Sequence, residues 1–337
     1  MDTEIALCGL VCAIFDRLIG RAGGPTLQEL LMRPIAAASL AFALVLGIAA
    51  PALSEGRAKL GYGRLVTNDY VGDGHDRWRT GSVASSRVWG PAWDGALPDD
   101  FGQLLELRFN AQILAPEDLN APTPGDRPYA GSIALGLHTH YTALGSEISL
   151  GGDLVFVGPQ TGLDGFQKAF HDNLGGQGLG AGVRRTQIGD DIRPTAVIEV
   201  GRSAQFGALN LRPFAEARAG DETLVRVGAD VTFGGALDGT MRVRETVTGH
   251  RYRTVQNDLA GYAFTFGADT AYVEDSVYLP SSRGYRLSDA RNRVRAGVHY
   301  AAPSGHRAFY GLTWLDREFK GQDEGQIVGS LRLHFNF

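Results

Sequence analysis

The chain has 337 residues, of which 46 are glycine and 14 are proline, and 44% of the residues are hydrophobic. This composition favours many strands and turns, in one large all-β domain or in two ordinary domains. The formal net charge of −5 is mild and argues against a nucleic-acid-binding surface. We therefore expect no nucleic-acid partner.

Residues 1–52 are predicted to form a leader. Met32-Arg33 opens a basic segment, residues 35–49 are apolar, and Ala50-Pro51-Ala52 fits a signal-peptidase site. Translation from Met32 followed by cleavage would export residues 53–337. The alternative is that the apolar run stays as a membrane anchor, because about 20 apolar residues span a bilayer.

Downstream of the leader, segments of about ten residues alternate between apolar and polar side chains and are separated by Gly, Pro, Asp and Asn. This pattern is typical of a transmembrane β-barrel. It predicts an all-β, antiparallel barrel of twelve strands, with residues 53–337 forming one domain. The predicted strands are 61–71, 77–90, 102–114, 129–142, 145–158, 192–204, 210–219, 223–233, 260–273, 292–302, 306–317 and 326–337.

The last predicted strand shows the alternation most clearly. Ile327, Leu331 and Leu333 fall on one face, whereas Ser330 and Arg332 fall on the other. A terminal phenylalanine after such a strand is the kind of signal that the outer-membrane barrel assembly machinery reads. A soluble β-sandwich or lipocalin-like barrel is the alternative. The aromatic residues favour the membrane, because most lie near predicted strand ends, where interfacial girdles form: Trp78, Trp89, Trp93, Tyr129, Tyr141, Tyr262, Tyr272, Tyr300, Tyr310 and Trp314.

One segment breaks the strand pattern. Leu163, Phe166 and Ala169 recur at helical spacing, which predicts a short helix over residues 163–174. Gln167 and His171 are four residues apart and so share one helix face. The helix lies in one of four long loops, 90–100, 116–127, 158–192 and 234–258, and long loops of such barrels gather on the extracellular side. By itself the helix could equally be a plug or a rim cover.

Three polar clusters accompany the helix. Asn68-Asp69 ends the first predicted strand, residues 73–80 form a polar run that includes Thr80, and Asp126 to Gly131 reads DRPYAG. Each also has a structural interpretation, as a strand end, a solvated hairpin loop, or a turn in which Arg127 pairs with a carboxylate in the lumen.

In their order and spacing these motifs resemble the outer-membrane lipid A 3′-O-deacylase family. The matching pieces are Asn68-Asp69, the run Asp76-Arg77-x-x-Thr80, DRPYAG, Gly158-Pro159, and Gln167-x-x-x-His171. The resemblance extends from about Leu60 to Phe337 and is strongest over 65–175.

The resemblance implies a bacterial outer-membrane esterase that acts on lipid A of lipopolysaccharide with the help of calcium. It implies that His171 is the general base, that Gln167 assists from the same helix, and that Asn68, Asp69 and Thr80 complete the site. Histidine titrates near neutral pH without perturbation, and a cation or amide donor can hold the oxyanion of an ester under attack. Asp69 is the expected calcium ligand.

The chain departs from the family pattern in three places. The loop before DRPYAG contains no lysine between Asn110 and Arg127, Gln177 stands where relatives have glutamate, and Thr80-Gly81-Ser82 replaces Thr-Asn-Gly. The first two departures concern substrate recognition and activity. The alternative function is a catalytically silent barrel, acting as a small channel or a surface-interaction protein.

Overall fold

A computed structural model of the chain describes residues 57–174 and 178–336, with only the backbone of residues 170–174. The predicted leader lies outside this range and stays a prediction. Fifteen strands are present: β1 Ala58–Asn68, β2 Trp78–Gly90, β3 Leu105–Ala115, β4 Ala130–Ala143, β5 Ser146–Val157, β6 Asp191–Gly201, β7 Ala204–Phe206, β8 Leu209–Ala219, β9 Glu222–Phe233, β10 Met241–Arg244, β11 Arg251–Val255, β12 Gly261–Ser276, β13 Arg291–Ala301, β14 Arg307–Leu315 and β15 Gln326–His334.

Twelve of these strands close into an antiparallel barrel. Each pairs with its neighbour along the chain, β6 pairs with β8 across the short β7, and β1 pairs with β15 to close the ring. Each predicted strand corresponds to one of these twelve, and the predicted fold is confirmed. The agreement follows from the period-two pattern, which records lipid on one side of a strand and the packed lumen on the other.

The outer surface of the barrel is apolar. In β15 the side chains of Ile327, Leu331 and Leu333 are exposed, whereas Val328, Ser330 and Arg332 are buried. This is the division of faces that the sequence predicts. Five of the ten candidate girdle aromatics are exposed, namely Tyr262, Tyr272, Tyr300, Tyr310 and Trp314. Trp78, Tyr129 and Tyr141 are instead buried, so they belong to the interior and the prediction is wrong for them.

Within residues 57–174 and 178–336, two α-helices are present, and both lie between β5 and β6. Helix α1 spans Leu163–Leu174, as predicted, and α2 spans Ala181–Thr186, which was not predicted. Short 3₁₀ turns occupy Pro159–Thr161, Gly235–Leu237 and Ser281–Arg283.

Within the part of the chain that the structure describes, no helix is long and apolar enough to cross a membrane.

Strand order decides which end of the barrel each loop occupies. The loops 69–77, 116–129, 158–190, 277–290 and 316–325 all join the end reached by β1, which we call the site rim. The loops 91–104 and 234–260 lie at the opposite end, the terminal rim, where the barrel begins and finishes. The expectation that all four long predicted loops share one side is therefore wrong for two of them, because antiparallel strands alternate in direction.

The 234–260 loop folds into the barrel as a hairpin of β10 and β11, which we call the lumen hairpin. Val243 and Tyr252 of this hairpin pack against Leu65, Ala84 and Phe309 of the wall. Gly63 of β1 makes room for it, since a Cβ there would lie 2.4 Å from the carbonyl oxygen of Arg253. The sequence predicts this segment only as one of the long loops, and neither strand of the hairpin is among the twelve predicted strands.

Ion pairs fill much of the remaining lumen. Arg226 bonds Asp269, Arg244 bonds Glu199 and Asp230, and Arg295 bonds Asp230. Arg242 and Arg332 form no ion pair with a carboxylate of the described residues. His138 and His140 are also buried, each hydrogen-bonded to its own carboxylate, Asp153 at 2.9 Å and Glu106 at 2.7 Å. A lumen occupied in this way does not favour the channel alternative.

Candidate active site at the site rim

A cluster of polar side chains lies where β1 ends and β2 begins. Asp69 directly follows β1 and is only 1% exposed. Its carboxylate accepts hydrogen bonds from the backbone N–H groups of Tyr70 (2.8 Å) and Arg77 (2.9 Å). The hydroxyl oxygen of Thr80 lies 3.4 Å from the Asp69 carboxylate and is hydrogen-bonded to the carboxylate of Asp76. One hydroxyl therefore stands between two carboxylates.

Asn68 supports this cluster through the backbone. Its side-chain amide donates to the carbonyl oxygen of Thr80 (2.8 Å), and its Oδ1 accepts from the N–H of Tyr70 (2.9 Å). Asn68 also pairs with Gly81 in the β1–β2 ladder. Both ends of the amide thus hold the strand end in place, which agrees with the structural interpretation of this residue.

Asp76 is a member of the cluster that the sequence analysis did not assign. It appears in the recognised Asp76-Arg77-x-x-Thr80 run, where the four-residue spacing to Thr80 was the available signal. The β1–β2 loop returns Asp76 to the strand end, because Arg77 is fixed by its N–H bond to Asp69 and by ion pairs to Glu117 (3.1 Å) and Glu324 (2.8 Å).

The cluster brings the carboxyl groups of Asp69 and Asp76 to one hydroxyl, and its surroundings disfavour the charged form of Asp69. Burial raises the pKa of Asp69 to about 8, and the charge of Asp76 adds to the rise despite the hydrogen bonds that oppose it. A cation beside Asp69 would stabilise its ionised carboxylate and so offset the effect of burial on this group. Carboxylate and hydroxyl oxygens are the ligands that calcium prefers. Asp69, Asp76 and Thr80 therefore fit a calcium ion that completes its coordination with water or substrate oxygens, although the described residues contain no cluster of three or more potential His, Cys, Asp or Glu ligands.

Helix α1 sits over the start of β4. Gly131, the last residue of DRPYAG, lets the helix approach, because a Cβ at this position would lie 2.6 Å from the Thr161 hydroxyl and 3.0 Å from the Leu163 Cβ. The Thr161 hydroxyl donates a hydrogen bond to the carbonyl oxygen of Gly158 (2.7 Å). The glycine of the motif thus sets the position of the helix on the barrel.

Replacing Gly131 with alanine is therefore expected to move α1 by a few tenths of an ångström or more while the barrel stays folded. Displacements on the ångström scale can reduce a reaction rate about 100-fold, so we expect the activity proposed below to fall roughly tenfold to 100-fold. Gly189→Ala is the control, since a Cβ there meets nothing within 4 Å. Unchanged activity in Gly131→Ala would show that the helix position does not matter.

Helix α1 buries the side chain of Gln167. Gln167 is 4% exposed, whereas Phe166 is 62% exposed. The Oε1 atom of Gln167 is buried without a hydrogen-bond partner among the described residues. A buried amide oxygen without a partner costs stability and is a common feature of functional sites.

The side chain of His171 lies outside the described part of the structure. The backbone of α1 contains it, one helical turn after Gln167. The structure therefore brings Asn68, Asp69 and Thr80 together and places Gln167 in a buried position on the rim helix, while the role of His171 stays a prediction.

The other residues of DRPYAG tie rim loops together. Asp126 accepts from the N–H of Glu117 (2.6 Å). Arg127 is 2% exposed and binds Glu318 (2.5 Å), which confirms the expected pair with a lumen carboxylate. Glu318 also binds Arg79, the neighbour of Thr80 in sequence. The motif is thus linked to the polar cluster through one buried ion-pair network.

Tyr129 is a buried aromatic residue at the site rim, directly before β4. It is 1% exposed and packs against Leu179 and Val183 at α2. Burial raises the pKa of its phenol, with the charges of Asp164 on α1 and Asp76 adding to the rise. Its hydroxyl has no hydrogen-bond partner among the described residues. Tyr129 is therefore a further candidate site residue that the sequence analysis placed in the aromatic girdle.

Comparisons with known proteins identify the fold. The solved structure "LpxR from Salmonella typhimurium" superposes on this chain with a TM-score of 0.65 at 19% sequence identity. The superposition covers 82% of this chain and 100% of that structure. The NanC porin (TM-score 0.36, 8% identity, 82% and 100% coverage) and the KdgM porin (0.34, 6%, 82% and 99%) are much less similar. No match is found among curated protein sequences.

The family profile described as "Outer membrane protein LpxR" matches residues 40–337, which include every barrel strand and the rim cluster. The match covers most of the chain and agrees with the structural similarity. The chain is an outer-membrane β-barrel protein that belongs to the LpxR family.

Proposed function

We propose that this protein is an esterase of the outer membrane that removes an acyloxyacyl chain from lipid A. Membership of the LpxR family suggests lipid A deacylation. The observation that carries the proposal for this chain is the polar cluster of Asp69, Thr80 and Asp76 at the site rim, the same end of the barrel that has the helix containing Gln167 and His171. The reaction places the elements of water across the ester that joins this chain to lipid A, giving the free acyloxyacyl acid and a hydroxyl on lipid A at the position of attachment.

In the proposed mechanism His171 accepts a proton from the attacking water and returns it to the leaving alkoxide. The buried amide of Gln167 orients the water or the ester, since its Oε1 has no partner among the described residues. Asn68 and Thr80 hold the β1–β2 strand ends, so that the carboxylate of Asp69 keeps its place. Calcium held by Asp69 and Asp76 would supply positive charge for the developing oxyanion.

Exposed apolar side chains on the site rim suit an acyl substrate. Tyr70 follows Asp69 directly and is 81% exposed, and Phe166 precedes Gln167 and is 62% exposed. A fatty acyl chain that reaches the polar cluster from the membrane would pass such surfaces at little cost in free energy. The site rim is then the extracellular end, where lipid A resides.

Purified protein in detergent, mixed with lipid A and calcium, tests the proposal by mass spectrometry of the released fatty acid. Replacing Asp69 with asparagine is expected to lower the rate roughly 100-fold and to raise the calcium concentration needed for half-maximal rate, because changes to a metal site typically cost 10-fold to 100-fold in affinity. Removal of calcium with a chelator should stop the reaction of the unaltered protein.

Asp73→Asn is the matched control. Asp73 lies in the same loop but binds the N–H groups of His75 and Ile327 rather than the cluster. It should keep near-normal rate and calcium dependence. Absence of fatty-acid release from the unaltered protein with any divalent cation would refute the proposal.

A further inference from the structure

The lumen hairpin carries an unusual arrangement of charge. In its ladder Arg242 is paired with Arg253, and Arg244 with Arg251. Side chains directly opposite in an antiparallel pair share a face, so four guanidinium groups project from one face of a two-stranded hairpin. Like charges in these positions are destabilising. The hairpin therefore needs negative charge from its surroundings.

The protein supplies only part of that charge. Arg244 binds Glu199 (2.6 Å) and Asp230 (2.8 Å). Arg251 lies 3.5 Å from Glu147, whose carboxylate is already bound by Arg212 at 2.7 Å. The one carboxylate within ion-pair distance of Arg251 among the described residues, that of Glu147, is therefore shared with Arg212.

Arg242 and Arg253 have no carboxylate within ion-pair distance in the described residues. Arg242 donates to the Thr232 hydroxyl (3.1 Å), and Arg253 donates to the carbonyl oxygen of Ala236 (3.3 Å). The Nε atom of Arg253 is buried with no partner among the described side chains and backbone groups. Neutral acceptors do not offset buried positive charges, which are strongly destabilising when left unpaired.

A cavity of about 320 Å³ borders three of these arginines. It lies towards the terminal rim, since Trp93, Gly95 and Leu97 of the 91–104 loop line it together with Thr240 at the base of the hairpin. Its charged lining comprises six arginines and three glutamates: Arg108, Arg212, Arg218, Arg242, Arg244 and Arg251, with Glu147, Glu199 and Glu216. The cavity is thus lined by an excess of positive charge and contains no residue of the rim cluster.

We propose that this cavity binds a phosphate-bearing anion between Arg242 and Arg251. The planar guanidinium fork matches two phosphate oxygens, which a neutral hydroxyl or carbonyl acceptor does not replace. The volume is at the lower limit for small-molecule sites, and so suits a small phosphorylated solute or a lipid headgroup. The ligand would enter from the terminal rim, the end opposite to the proposed esterase site.

Isothermal titration of the detergent-purified, full-length protein with inorganic phosphate and with pyrophosphate, in phosphate-free buffer, measures the binding of soluble anions. We expect saturable binding, with pyrophosphate the tighter ligand because it offers two phosphate groups. The double variant Arg242→Gln/Arg251→Gln should bind at least tenfold more weakly, and Arg242→Lys should be intermediate, since it keeps the charge but loses the fork.

A second arm separates the two sources of phosphate. Native mass spectrometry of the purified protein should show a retained phospholipid if the ligand is a lipid headgroup, and the double variant should lose it. Binding of soluble phosphate without retained lipid assigns the cavity to a solute. Absence of both, in protein that migrates as a folded barrel on unheated gels, would overturn the proposal.

Arg202→Gln is the matched control. Arg202 is an exposed arginine in the β6–β7 turn at the same rim, outside the cavity lining. It should leave phosphate binding unchanged. Phosphate should also raise the unfolding temperature of the unaltered protein but not of the double variant, and an equal rise in both would contradict the assignment.

Discussion

Fatty-acid release by the His171→Ala variant is expected to be about 10²-fold to 10⁴-fold slower than that of the unaltered protein. This range is the usual contribution of a positioned general acid–base residue. The expectation rests on the proposed role of His171 as the base that activates water, one helical turn after the buried Gln167. Single-turnover measurement with excess protein over lipid A isolates the chemical step from product release.

His75→Ala provides the control for this substitution. His75 lies at the same rim, its side chain is 62% exposed, and its ring contacts Asp73. His75→Ala removes one rim histidine, as His171→Ala does, but leaves the rim cluster intact. The rate should therefore stay within about twofold of normal. Equal release by His171→Ala and the unaltered protein would remove His171 from the mechanism.

Replacing Glu318 with glutamine is expected to destabilise the barrel by about 3–5 kcal/mol, the typical cost of breaking a buried ion pair. Glu318 accepts hydrogen bonds from Arg79 (2.9 and 2.5 Å) and Arg127 (2.5 Å), and Arg291 is 3.5 Å away. The neutral amide would leave these guanidinium groups buried without their shared counter-charge. The temperature at which the folded band disappears on partly heated gels measures the loss.

The pH dependence of this contribution has a definite sign. Burial raises the pKa of Glu318, but Arg79 and Arg127 lower it more, so it lies well below the ordinary value of 4.5. A carboxyl group with a lowered pKa in the folded state stabilises the protein fully above its unfolded pKa, and this stabilisation is lost as the pH falls through the folded pKa. The difference between Glu318→Gln and the unaltered protein should therefore be constant at neutral pH and shrink progressively as the pH falls below 4.5.

Glu324→Gln is the matched control for Glu318→Gln. Glu324 binds Arg77 at 2.8 Å, but its side chain is 63% exposed. Exposed pairs typically contribute at most about 1 kcal/mol. A small effect of Glu324→Gln beside a large effect of Glu318→Gln would confirm that burial decides the cost. Similar small effects would show that the buried arginines find other partners.

The Glu318 network also concerns the rim site. Arg79 precedes Thr80, and its backbone N–H is held by the Gln326 side chain (2.8 Å). Loss of the Glu318 charge would leave the Arg79 side chain, at the base of the β1–β2 cluster, with its hydrogen bond to Gln112 (2.8 Å) and a longer contact to Glu222 (3.9 Å). We therefore expect Glu318→Gln to lower esterase activity as well as stability, whereas Glu324→Gln should change neither by much.

The local sequence was sufficient to predict the strands and helix α1. A strand alternates because lipid lies on one side and the packed lumen on the other, so the information lies in neighbouring residues. The proximity of Asn68, Asp69 and Thr80 also follows from local sequence, since they lie within one hairpin, but their assignment to a site rests on the family resemblance. The helix at 163–174 was equally visible, because a period of 3.6 stands out in a chain of period two.

Only the tertiary structure decided where the loops go and which charges meet. The lumen hairpin has an arginine-rich sequence that resembles a solvated loop, and its burial depends on Gly63 in a strand nearly 190 residues earlier. Arg79 meets Glu318 although 239 residues separate them. Spacing along the chain does not record such contacts, because an ion pair depends on which strands the closed barrel places opposite each other.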